Sequence, residues 1–180
     1  MSNWSCPPWP LGTTEMKQKD NLEHHAVLNF IELYNRNHKR QLQLIRACRP
    51  PMPDTLCCLH RREIGIEVAH VYGSNDEAAM RVGGKTLDDF PHRVCLDRHV
   101  TALDVRALNC LHDKLKRKAT RTYGFTPTWL LIRNAFVPWS FAEYRQHKNE
   151  IIVPETHPFT QIWFMCDKKS LGTPGIMRLA

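Results

Sequence analysis

The residues of this chain best suited to metal-assisted chemistry are two carboxylates, Asp54 and Glu67, set on the two arms of what reads as a β-hairpin. Leu56-Cys57-Cys58-Leu59 and Ile64-Gly65-Ile66-Glu67-Val68 are short apolar runs separated by a charged turn, His60-Arg61-Arg62-Glu63, the expected signal of paired strands. A turn centred between His60 and Arg61 sets Asp54 directly opposite Glu67; a turn one residue further on sets them one pair diagonal. Either way the carboxylates share a face, because the side-chain period of a strand is two, and Ile64, Ile66 and Val68 point the other way into a core. Two carboxylates held about 5–8 Å apart at the backbone repel each other. A hard cation, Mg2+ or Mn2+, which prefers oxygen ligands and keeps several waters, would relieve that repulsion. Asp54 after Pro53 also suits simple turn initiation, but Glu67 lies between apolar residues that predict burial, and buried carboxylates are rarely left unpaired.

His70 ends the same strand. It is a candidate ligand or base, although a strand-end histidine satisfied by a backbone group is the expected reading. Cys48, Cys57, Cys58, His60 and His70 are close in sequence without the spacing of a zinc site, and neighbours Cys57 and Cys58 point to opposite faces.

These side chains need elements to hold them. Leu22, Ala26, Phe30 and Leu33 recur at helical spacing, predicting a first helix from about Asp20 to His38. Gln41 to Ile45 alternates as a short strand, and Pro50, Pro51 and Pro53 enforce an extended entry into Asp54. Tyr72 to Leu96 reads as a long irregular connection of the kind often used for function. A second helix is expected from Thr101 to Tyr123 on the stripe Leu108, Leu111, Leu115 and Ala119. Strands at Trp129 to Arg133 and Thr160 to Cys166 flank a short polar helix from Phe141 to Lys148. The order predicts a single α/β domain, residues 19–180, with a central mixed β-sheet flanked by helices. Residues 1–18, with Pro7-Pro8-Trp9-Pro10 and no periodicity, read as a flexible or partner-binding arm whose Trp4 and Trp9 suit a homodimer or protein contact.

The 180 residues carry a formal net charge of +7, with a pI near 9.2. That balance favours an anionic partner, nucleic acid above all. Arg61 and Arg62 at the turn, and Lys114 and Arg121 within the cluster at Lys114-Leu115-Lys116-Arg117-Lys118, are the candidate contacts; each cluster also suits a solvated face. No apolar run approaches the ~20 residues of a membrane span. Met1-Ser2-Asn3-Trp4-Ser5 has neither a basic leader nor an apolar core, so a soluble, unprocessed protein is expected. Seven irregularly spaced cysteines fit a reduced cytoplasmic protein better than a disulfide framework.

Pro53-Asp54, the twelve-residue gap (55–66) to Glu67 and the helix-hairpin-helix-strand order from about residue 20 to 134 resemble the PD-(D/E)XK, or restriction-endonuclease-like, superfamily. The resemblance implies an αβββαβ core, with Asp54 and Glu67 as metal-binding catalytic carboxylates and the Val68 carbonyl completing the metal shell. It also implies a Glu on the first helix, where Glu23 or Glu32 would serve. The family pattern places a Lys two residues after the second carboxylate, whereas this chain has Ala69. Some members supply that Lys from the following helix. On a helical wheel Lys118 lies about 65° from the centre of the apolar stripe, at its edge, and Lys114 further round. Lys118 is therefore the candidate cation that offsets charge building on the attacked phosphate.

The implied activity is a Mg2+-dependent endonuclease hydrolysing phosphodiester bonds. The alternative is a nuclease-like fold that binds nucleic acid or protein without cutting, motivated by Ala69.

Overall fold

The computed structural model describes residues 14–39, 41–72, 103–135, 139–168 and 172–180. The chain forms α1 (Thr14–His38), β1 (Leu42–Ala47), β2 (Thr55–Leu59), β3 (Arg62–Val71), α2 (Leu103–Ala119) and β4 (Thr128–Asn134). It continues through α3 (Phe141–Gln146), a 3-10 turn (Lys148–Glu150), β5 (Gln161–Cys166) and β6 (Gly175–Arg178). The six strands make one mixed sheet in chain order. β1, β2 and β3 are an antiparallel meander, β3, β4 and β5 run parallel, and β6 returns antiparallel.

Parity along the strands sorts the apolar residues onto two faces. Ile64, Ile66 and Val68 of β3 face α1, with Trp129, Leu131 and Trp163 beside them, and Ala26, Val27, Phe30, Leu33 and Tyr34 of α1 pack onto that surface. Ala69, Val71, Leu130, Ile132 and Phe164 occupy the other face under Leu108, Leu111 and Leu115 of α2. The predicted stripes on both helices are thus the buried ones. β4 is buried along its whole length, as expected of a central parallel strand covered on both sides. Among the described residues, no helix is long and apolar enough to cross a membrane.

Several boundaries differ from the sequence reading. α1 starts at Thr14 rather than Asp20, because Thr14-Glu15-Met16-Lys17-Gln18-Lys19 contains no helix breaker. Residues 14–18, assigned to the arm, therefore belong to the helix, while residues 1–13, Trp4 and Trp9 included, lie outside the described residues. So does most of the expected Tyr72 to Leu96 connection, from residue 73 onward. The polar helix stops at Gln146 and passes into the 3-10 turn, and β6 was not anticipated.

Two local devices position the hairpin. His60 and Arg61 carry φ of 49° and 65°, the left-handed pair that a two-residue hairpin turn requires. Gly65 is forced by packing: a Cβ there would collide with the Pro53 ring. The Pro50 to Asp54 entry thus lies against β3, tied by Cys48 N–H to the Asp54 carbonyl at 2.9 Å and Gly124 N–H to the Pro51 carbonyl at 2.8 Å.

Candidate active site

The hairpin register pairs Leu59 with Arg62 and Thr55 with Ile66. One step further, Asp54 lies opposite Glu67, the first of the two registers open from sequence. Beyond this point β3 outruns β2: its pairing with β2 ends at Ile66, whereas its pairing with β4 continues to Val71. From Glu67 onward the β2-side edge of β3 therefore has no strand partner among the described residues. Asp54 caps that edge, its Oδ2 accepting the Val68 N–H at 2.8 Å. The N–H and C=O of a strand residue leave the same side of the chain, so the Val68 carbonyl is directed to this edge as well, while its side chain is in the α1 core.

Glu67 is only 6% exposed, and Lys118 Nζ reaches its Oε1 at 2.5 Å from the last turn of α2. The wheel position at the edge of the apolar stripe permits this reach across the face of the sheet. Glu23 of α1 is also buried, paired with Lys19 one turn earlier at 3.3 Å. Glu32, the alternative helix carboxylate, is on the exposed side near Lys168 and outside this group. Asp54, Glu67, Glu23 and Lys118 together line an open cleft of about 330 Å³.

Its electrostatics are crowded. Burial, then the Glu67 carboxylate, pushes Asp54 up to about 6. Burial, then Asp54, pushes Glu23 up to about 7. Lys19 is raised: burial opposes its charge, but Glu23 and Asp54 outweigh that cost. Burial and the Glu67 carboxylate raise Tyr123, whose ring also lines the cleft. Among the described residues, Asp54 makes no ion pair.

A basic wall stands over the carboxylates. Lys114, Arg117, Lys118 and Arg121 all line the cleft, the first three on one side of α2 at helical spacing and Arg121 just past its end. Lys114 is lowered by burial and then by Arg117 and Lys118. Of the predicted nucleic-acid contacts, Lys114 and Arg121 are brought to the site and Arg61 and Arg62 are not. The latter sit exposed at the hairpin tip, and the five residue steps along β3 from Arg62 to Glu67 span about 16 Å at ~3.3 Å per residue. Lys19 was missed, and Arg117 was read only as part of the basic cluster that starts at Lys114. The i, i+4 spacing of Lys19 and Glu23 and the 114/117/118 spacing on α2 were the available signals.

His70 corrects a further expectation. Both ring nitrogens are buried and without a hydrogen-bond partner, backbone groups included, among the described residues. Burial, then the Arg133 guanidinium, holds its pKa down to about 3, and the ring is neutral. It lines the same cleft, beside the Tyr72 ring at 6.0 Å between centroids.

Among the described residues, no three His, Cys, Asp or Glu side chains form a preformed metal cage. The described cysteines Cys48, Cys57, Cys58, Cys110 and Cys166 are not in disulfides. The comparisons assign no relative: no protein-family model, curated protein or solved structure matches this chain.

Proposed function

We propose that the chain is a metal-dependent nuclease of restriction-endonuclease-like architecture, hydrolysing phosphodiester bonds of nucleic acid, with DNA favoured. The observation that carries this reading is the meeting of Asp54, Glu67 and Lys118, from three separate elements, in one cleft beneath a basic ridge. The α1-β1-β2-β3-α2-β4 order and the antiparallel meander feeding a parallel β4 support it.

The donor set fits a hard divalent cation. The Val68 amide and Lys118 each use one oxygen of Asp54 and of Glu67 and leave the other for a further ligand. Burial and mutual repulsion make the carboxylates poor neighbours without added positive charge. Magnesium is commonly held by one or two carboxylates while keeping several waters, so the lack of a three-residue cage suits it. Asp54 and Glu67 would hold the ion, with the Val68 carbonyl and Glu23 as outer support. When bound, Mg2+ or Mn2+ supplies an activated water and polarises the phosphoryl oxygen.

The chain's own groups do the rest. Lys118 places positive charge beside Glu67, where negative charge builds as the phosphate is attacked. Lys114, Arg117 and Arg121 grip neighbouring phosphates. The Val68 amide keeps Asp54 aimed along the edge of β3 beyond its pairing with β2.

Cleavage of plasmid, single-stranded DNA and RNA with Mg2+ or Mn2+ tests this reading. Wild type should cut, and Glu67→Ala should lose at least about 100-fold. Equal activity in both, or none in wild type, refutes it. Ala69 in the usual Lys position favours the second reading, a fold that binds without cutting, which the same assay identifies as salt-sensitive binding without cleavage.

A further inference from the structure

We infer that the part of the cleft lined by His70 and Tyr72 is a nucleobase subsite, so that this site takes an unpaired nucleotide rather than an intact duplex. The inference rests on the nuclease reading and adds to it the form of the substrate. A neutral imidazole offers one donor and one acceptor, and both ring nitrogens of His70 are buried with no hydrogen-bond partner among the described residues. A buried polar group left in that state is costly. The cost is repaid if a ligand completes the site.

The ligand's chemistry follows from what lies around the ring. Tyr72 provides a flat aromatic surface beside His70, and stacking on such a surface tolerates any base. A base edge carries the donors and acceptors that an imidazole can meet. Phosphate sites begin at Lys118, next to Glu67 on the α2 face. His70 is three residues further along β3, about 10 Å at ~3.3 Å per residue, with its side chain on the α1 face. Both residues line the same cleft, which joins the two faces around the edge of β3 beyond its pairing with β2, so a nucleotide lying across that edge reaches from the basic ridge to the ring pair. In a duplex the base is stacked and paired inside the helix; it can enter a cleft of about 330 Å³ only from a single strand or after flipping out.

Binding without metal tests the subsite separately from hydrolysis. With EDTA present, a fluorescent single-stranded oligonucleotide, the same sequence as a duplex, and an abasic strand of equal length are titrated against the full chain. Wild type should bind the single strand at least about ten-fold more tightly than the abasic strand or the duplex. Tyr72→Leu and His70→Phe should each remove most of that preference and leave the abasic affinity unchanged, with His70→Gln retaining part of it. Equal affinity for single strand and duplex overturns the subsite, as does an equal loss on the abasic strand in either variant. If the preference holds but no metal-dependent cleavage occurs, the subsite stands and the nuclease reading falls. If no nucleic acid binds, both fall.

Discussion

Two ion pairs lie within the described protein interior, and they are completed differently. Arg133 and Asp167 meet on the α1 side of the sheet at 2.7 Å, with side chains 6% and 3% exposed. A second guanidinium contact at 3.4 Å and Asn29 at 3.1 Å complete the carboxylate. Lys118 and Glu67 are also close, but their side chains are 14% and 8% exposed and border an open cleft. There burial, and then the neighbouring carboxylates, raise Asp54 and Glu23 by more than the nearby lysines offset. A pair whose hydrogen bonds are filled by its own neighbours holds the fold. A pair set among surplus carboxylates at the edge of β3 beyond β2 has unused capacity, and the proposed chemistry uses it.

The sharpest way to break this contrast is to remove the cation from each pair. Arg133→Met should cost about 3–5 kcal/mol, the usual result of leaving a buried charge alone. Lys118→Met should cost less, about 1–2 kcal/mol, because water can reach Glu67 from the cleft. It should nevertheless remove at least about 100-fold of metal-dependent cleavage. Urea melts and cleavage rates on both variants check the pair of outcomes; similar stability losses would erase the distinction.

The surplus charge gives a second test through pH. On folding, Asp54 moves from 3.8 to about 6 and Glu23 from 4.5 to about 7. The unfolded chain therefore loses these protons first as pH rises, and native stability falls between about pH 4 and pH 7 and stays reduced above that range. Asp54→Asn removes its share of this cost. It should stabilise the protein by about 1–3 kcal/mol at pH 7.5, with the gain vanishing near pH 4. Thermal melts across that range measure it, and a destabilised variant at neutral pH contradicts the electrostatic account.

Much of this contrast was legible before the fold. The hairpin parity follows from a period of two, and two left-handed residues at His60 and Arg61 select the register that opposes Asp54 and Glu67. The Lys118 reach follows from a period near 3.6 on α2. Other parts depend on contacts between distant segments. Which of Glu23 and Glu32 enters the site depends on how α1 docks, which buries the first and leaves the second near Lys168. Arg133 and Asp167 are separated by 34 positions and meet because β4 and β5 are adjacent. His70 lies on the part of β3 that extends past β2, a length mismatch that no single strand reveals.

A smaller effect separates the two basic regions. Arg117→Ala and Arg121→Ala should each weaken binding to any sequence and lower the salt dependence by about one unit of slope. Arg61→Ala and Arg62→Ala, at the distant hairpin tip, should change neither by a measurable amount. Fluorescence titrations between low and moderate salt check this, and an equal loss at the tip would move the interface.

The central claim is that the cleft carboxylates hold a divalent cation, and calorimetric titration of Mn2+ into the full chain tests it most directly. Wild type and Glu32→Gln should bind saturably, while Asp54→Asn and Glu67→Gln, both still folded, should lose that binding. Absence of Mn2+ binding in wild type, or binding that survives both cleft substitutions, would contradict the account.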